Sequence, residues 1–291
     1  MTEQPDVPTD DTPALPACVR HPDRPTGLRC SRCDRPACPE CLRPASVGQH
    51  CVDCLAEGRR TVRRPVTISG ARADRKPVMV SVLIAVNVVI FAITAVQAHS
   101  VTNLEPSPLF EQWSLFPIAT RNGYWYQLIT AGFLHINPIH IAMNMIALWV
   151  IGRDMERILG PGRFTAVYLI GLLGGDVDVL LFGQVNGVTV GASGAVFALM
   201  GGLLVVVYRL KLNPGQVIGM IAINLVISVA IPGISLLGHV GGLVTGGLLT
   251  AALVFAPAER RTMWQVGGAA AMLLLLVVLV LVRFSQIPQF T

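Results

Sequence analysis

Beyond residue 78 the chain is a succession of long apolar runs separated by short polar breaks; before it, polar residues dominate. A helix needs about 20 predominantly apolar residues to cross the hydrocarbon core. The runs over 78–98, 127–151, 164–184, 191–208, 216–234, 237–256 and 263–283 predict seven transmembrane helices. The second run is the least apolar, because it contains His135, Asn137, His140 and Asn144. Gly and Pro within several runs are compatible with spans, since neighbouring helices re-satisfy the freed backbone groups.

Composition sharpens the division. Hydrophobic residues make up 53% of the 291 and charged residues 13%, against about 25% charged in a soluble domain. All seven cysteines precede residue 78. Residues 1–17 are acidic and Pro-rich and predict a disordered tail. Residues 18–55 hold a Cys/His module, 56–77 a basic linker, 78–256 six helices, and 257–291 a seventh helix with a short outer tail. The start of the chain lacks the apolar run of a secretory signal.

A net charge of +5 raises the question of nucleic acid, but no basic stripe interleaved with aromatics supports such a partner. The cations flank the apolar runs instead. With a cytoplasmic N-terminus, Arg59, Arg60, Arg63, Arg64, Arg72, Arg75 and Lys76 fall inside. So do Arg153, Arg157, Arg163, Arg209, Lys211, Arg260 and Arg261, whereas the outer connections hold Arg121 and the outer tail begins at Arg283. That asymmetry predicts a multi-pass cell-membrane protein with its N-terminus cytoplasmic and its C-terminus extracytoplasmic.

The polar region contains Cys18-x2-His21, Cys30-x2-Cys33, Cys38-x2-Cys41 and Cys51-x2-Cys54. A two-residue gap lets one turn present both side chains to one ion, and eight such ligands close two tetrahedral zinc sites without water. Structural zinc also explains how so short a segment with few apolar residues folds. A disulfide framework is the alternative; an odd cysteine count and a reducing compartment weigh against it. The pattern resembles a B-box-like, cross-brace finger. That resemblance implies Cys18, His21, Cys38 and Cys41 on one ion, and Cys30, Cys33, Cys51 and Cys54 on the other. His50 is an alternative to Cys51. Structural, partner-binding and regulatory roles are all open for this module, and its partner is unknown.

In the apolar region, Ser193 sits in Gly191-Ala192-Ser193-Gly194 at the start of the fourth run. A serine among small residues at a helix N-terminus has an exposed hydroxyl beside free backbone N–H groups that can stabilise an oxyanion; small-residue runs are also packing surfaces. His239 lies near the start of the sixth run. An ionisable group inside a span faces a cavity or a partner, and histidine is the usual base for a serine hydroxyl. Gly194, Gly201 and Gly202, with Gly242 and Gly246, would let the two helices approach closely. In His135-x4-His140-x3-Asn144, His140 and Asn144 share one helix face and can offer N–H donors across from Ser193. A metal pair from His135 and His140 is disfavoured by the five-residue spacing.

Together the segments HINPIHIAMNM, GRDMERILGPGRF, GASGAVFALMGG and GHVGGLVTGG resemble the rhomboid intramembrane serine proteases, from about residue 78 to 256. The resemblance implies an all-α polytopic fold with a six-helix core. It implies Ser193 as nucleophile and His239 as base and then acid, with no catalytic cofactor. His140, Asn144 and the Ser193 backbone amide would form the oxyanion hole, supported by Gly191 and Gly194. Phe197 matches an aromatic beneath the histidine, and Glu156 a structural carboxylate at the cytoplasmic end of the second helix. Substrates would be single-pass membrane proteins cut in or near their transmembrane segment, within the lipid bilayer. Where many relatives carry Trp-Arg in the first outer loop, this chain has Tyr126-Gln127, with Trp125 one place earlier. Asp176 and Asp178 in the third run are expected to face polar groups or water, a triad role toward His239 being the lesser reading. The rival to a protease is an inactive rhomboid-like protein that binds membrane helices; a transporter would call for an inverted repeat, which is not evident.

Overall fold

The structure, a computed structural model, describes residues 14–61, 65–72 and 76–287. The chain divides into two compact units at residues 64 and 65. Arg63, Arg64, Arg75 and most of the expected N-terminal tail lie outside the described residues.

The first unit is small. Strand β1 (Ala17–Cys18) pairs antiparallel with β2 (His21–Pro25), and β3 (Leu42–Pro44) with β4 (Gln49–Cys51). A helix, α1 (Val52–Thr61), follows directly. Regular structure thus begins at Ala17, within the stretch expected as tail, and α1 continues past residue 55 into the expected linker. Among the described residues, the interior of this unit is Cys18, Cys30, Cys38, Cys41, Cys51 and Cys54, with only Ala37 and Leu42 as buried hydrocarbon. Thiols stand where a larger domain has leucines.

The second unit is helical. Its elements are α2 (Met79–Ala98), the short α3 (Pro108–Trp113), α4 (Pro117–Arg121) and α5 (Gln127–Thr130), then α6 (Pro138–Leu159), α7 (Pro161–Phe182), α8 (Ser193–Arg209), α9 (Gly215–Ala230), α10 (Leu236–Val254) and α11 (Arg261–Phe284). Helices α2, α7, α10 and α11 are long and apolar enough to span a bilayer, and α8 and α9 are shorter apolar helices. The exposed side chains of the outer helices are hydrocarbon, including Val88, Val89, Ile223, Val226, Leu274 and Leu281, as a lipid-facing surface requires. The protein is a multi-pass membrane protein.

One boundary departs from the apolar pattern. The second span is not a continuous helix over 127–151: residues Gln127–Phe133 and Pro138–Leu159 form a pair bent by 95°. The Asn137 side chain accepts from the His140 backbone N–H, and Pro138 occupies the first turn. A proline with a capping asparagine before it starts a helix and cannot continue one. Helix α6 therefore begins at Pro138 and runs on to Leu159.

Helices α7, α8 and α10 form the centre. Their contact is made by small residues, which let backbones meet where larger side chains would hold them apart. Gly242 lies against the Gly194 backbone and Gly246 against the Ala198 backbone; Gly201 meets the Leu243 carbonyl. Gly171 of α7 abuts Ala198, and a Cβ on Gly175 would stand 2.6 Å from the Gly238 carbonyl oxygen. Gly202 packs on Thr250 and Met155. Helix α8 is buried along most of its length as a result.

Two polar devices fix the periphery. Glu156, buried in α6, accepts hydrogen bonds from the backbone N–H groups of Val78, Met79 and Val80 at 2.7, 2.9 and 2.9 Å. It caps α2, whose own N-cap, Val78, has no side chain to do so. In the loop before α6, buried Gln127 accepts from Phe116 N–H and Thr120 Oγ1 and donates to the Gln112 carbonyl. The loop is supported here by an amide, with Trp125 exposed. Residues of the expected linker also dock on this unit: Thr67 Oγ1 and Ser69 Oγ donate to the Ile158 carbonyl at 2.6 and 2.7 Å.

Candidate functional site

Ser193 is the first residue of α8, preceded by Ala192 as N-cap. Its N–H and those of the next two residues have no intrahelical acceptor. Gly191 just before it has φ +127°, a conformation open to glycine at little cost. The same residue makes room for a second helix: a Cβ here would stand 2.7 Å from His140 Nε2 and 3.8 Å from Ser193 Oγ. His140, in the first turn of α6, thereby brings an imidazole edge to the serine. The Gly191 N–H is tied to the Ala131 carbonyl at 3.0 Å, which anchors the turn.

Asn144 is one turn further along α6, and its Nδ2 donates to the His140 carbonyl at 3.0 Å, leaving one amide hydrogen. His135 lies in the bend before α6. It is fully buried, edge-on to His140 with ring centroids 5.0 Å apart, and neither ring nitrogen has a hydrogen-bond partner.

His239 is in the first turn of α10 and buried. Its ring stacks on Phe197, one turn after Ser193, with centroids 4.0 Å apart and planes 11° from parallel. The Gly194–Gly242 contact brings the N-terminal ends of α8 and α10 together, so Ser193 and His239 lie at the same end of the bundle. No hydrogen bond joins them among the described residues. The histidine's hydrogen bond is to a residue that the sequence did not single out: Ser228 Oγ of α9, 2.6 Å from Nδ1. Nothing in the run ISVA marks that serine, because only the packing of α9 on α10 brings it to the ring.

The carboxylates of α7 are placed otherwise. Asp176 is buried with Oδ2 unpartnered, and Asp178 packs against Gly241. Neither hydrogen-bonds His239, whose Nδ1 is occupied by Ser228, which excludes the triad reading in this geometry.

In the first unit the ligand atoms of Cys18, His21, Cys38 and Cys41 all lie within 4.8 Å of one another, as do those of Cys30, Cys33, Cys51 and Cys54. His21 Nδ1 is 3.4 Å from both Cys38 Sγ and Cys41 Sγ and 3.9 Å from Cys18 Sγ, and Cys33 Sγ is 3.8 Å from Cys51 Sγ. Tetrahedral zinc with ordinary bond lengths separates two sulfurs by about 3.8 Å and a sulfur and a nitrogen by about 3.6 Å. The donor sets fit such an ion. His50 belongs to neither cluster; its strand partner is Arg43.

Electrostatics also favours a cation. The Cys38 backbone N–H holds the Cys18 thiol down at about 6. Burial, with the neighbouring Cys38 and Cys18, pushes Cys41 up to about 11. In the other cluster the Cys33 side chain, then burial, pushes Cys54 up to about 12. Crowded thiolates oppose one another's ionisation, and a divalent ion removes that repulsion.

Comparisons with known proteins bear on the helical unit that holds these residues. Residues 122–256 match the model of the rhomboid domain. The rhomboid protease GluP of Bacillus subtilis is 34% identical over 183 residues, covering 61% of this chain and 35% of that protein. The putative rhomboid protease YdcA of the same organism is 29% identical over 188 residues, covering 63% and 92% respectively. RHOMBOID-like protein 4 of Arabidopsis thaliana is 36% identical over 138 residues, covering 45% and 35%. The chain thus spans about a third of the length of GluP and of the Arabidopsis protein. Residues 122–256, the stretch that holds Ser193 and His239, are thus similar to a rhomboid domain.

Proposed function

We propose that the protein is an intramembrane serine endopeptidase. Ser193 Oγ attacks the scissile carbonyl as its proton passes to His239 Nε2. The imidazolium returns that proton to the leaving amine, and water then hydrolyses the acyl-enzyme by the same two proton transfers. The oxyanion is held by the Ser193 backbone N–H with the His140 imidazole and the remaining amide hydrogen of Asn144. Phe197 supports the base, and Gly191 and Gly194 keep the cradle open. The observation that carries this reading is the convergence at one end of the bundle: Ser193 at a helix N-terminus, His140 Nε2 against Gly191, and His239 stacked on Phe197. Relatives named as proteases support it.

By the same reading the substrates are single-pass membrane proteins cut in or near their transmembrane segment, where an unwound stretch exposes its carbonyl. The N-terminus is cytoplasmic and the C-terminus extracytoplasmic, so the site opens to the outer side. The Cys/His module holds two structural zinc ions in the pairing of its two clusters, all-thiolate and thiolate–imidazole donor sets being those that zinc prefers.

The alternative is an inactive rhomboid-like protein that binds membrane helices. Cleavage of a model transmembrane substrate by the purified full chain in bilayers separates the two. Activity lost in Ser193→Ala and His239→Ala upholds the protease; absence of cleavage by the wild type, or cleavage that survives Ser193→Ala, rejects it.

A further inference from the structure

We propose that Ser228 is the positioning residue that fixes the tautomer of His239, taking the place a carboxylate holds in a catalytic triad. The inference rests on the protease reading above.

Ser228 Oγ makes two short contacts, to His239 Nδ1 at 2.6 Å and to the Asn224 backbone carbonyl, one turn earlier on α9, at 2.7 Å. A hydroxyl has a single proton and two lone pairs, whereas a carbonyl oxygen can only accept. Both contacts are hydrogen bonds only if Ser228 donates to Asn224 and accepts from His239. Nδ1 then carries the imidazole proton. A neutral imidazole has only one, so Nε2 keeps its lone pair, and Nε2 is the nitrogen left to take the proton of Ser193.

The reverse assignment, with Ser228 donating to Nδ1, sets two oxygens 2.7 Å apart with no proton between them and places the imidazole proton on Nε2, which cannot then act as base. The backbone of α9 thus selects the competent form. Ser228 is buried, and with Ile221 it is one of only two buried side chains on α9. Its hydroxyl is therefore removed from competing water. Phe197 fixes the plane of the ring from one face, and Ser228 fixes its rotation within that plane. Nearby carboxylates do not perform this role, since Asp176 and Asp178 do not reach the ring.

The test compares Ser228→Ala and Ser228→Thr with the wild type, each as the full chain in bilayers. Two quantities are read: steady-state cleavage, and the nitrogen-15 NMR shifts of the His239 ring. The wild type should show Nδ1 protonated and Nε2 bare. Ser228→Ala should lower kcat about tenfold at unchanged KM, the worth of one neutral hydrogen bond, and should populate the other tautomer. Ser228→Thr, which keeps the hydroxyl, should restore both. Protonated Nε2 in the wild type overturns the proposal, as does a Ser228→Ala protein with unaltered ring shifts and kcat, or equal impairment of the alanine and threonine variants. The NMR arm, repeated in Ser193→Ala, needs no catalysis, so it stands or falls separately from the protease reading.

Discussion

Gly191 and His140 adjoin so closely that the glycine has no room for a side chain: a Cβ would come within 2.7 Å of His140 Nε2. The same glycine holds φ +127° immediately before Ser193 and its turn. A methyl group at this point both displaces the imidazole and strains the backbone, at about 1–3 kcal/mol for the backbone alone. Gly191→Ala should therefore cut kcat by roughly a hundredfold or more, the cost of a lost oxyanion donor, while the protein still folds. Cleavage rates beside a thermal melt in detergent check this. A variant with wild-type kcat refutes the cradle.

Glu156 carries the start of α2. Three backbone N–H groups converge on its buried carboxylate, and charge-assisted hydrogen bonds are the stronger kind. Glu156→Ala should destabilise the helical unit by about 2–4 kcal/mol. Glu156→Gln, which turns an N–H toward one of the three donors, should fall between alanine and wild type. Denaturant unfolding in detergent measures the order; equal stability of all three forms contradicts it.

The α8–α10 seam has no slack where Gly246 meets Ala198. Gly246→Leu should prevent a folded monodisperse protein, since overpacking cannot be relieved against backbone. Gly219 on α9 has nothing within 4 Å of its would-be Cβ, so Gly219→Ala should be neutral or add about 0.5–1 kcal/mol of helix propensity. Size-exclusion profiles of the two variants give the comparison, and identical profiles would discount the seam.

Metal content can be counted directly. The full chain should bind two zinc ions, falling to one in Cys38→Ser and, separately, to one in Cys54→Ser. With so little buried hydrocarbon in the module, chelation should melt its strands and α1 while leaving the membrane helices intact. Elemental analysis and amide protection provide the readout; one ion or none in the wild type defeats the two-site assignment.

Much of this molecule is written locally. Apolar runs long enough to cross a bilayer predict helices whether or not they pack, and the cation asymmetry sets an expected orientation. Cysteine pairs at two-residue gaps declare metal chemistry because one turn satisfies their geometry. Ser193 and His239 could be singled out because a serine among glycines and a histidine in hydrocarbon are chemically out of place. The tertiary structure decided what depends on neighbours distant in sequence. The break before α6 turned on Asn137 and Pro138 overriding an apolar run. The support of the first loop came from Gln127, and the cap of α2 from Glu156, across more than 70 residues. Above all, the partner of His239 came from Ser228, a serine inside an ordinary apolar helix. Hydrophobicity acts along the chain and can be read from it; a single hydrogen bond between two helices depends on how they pack, which one-dimensional spacing does not contain.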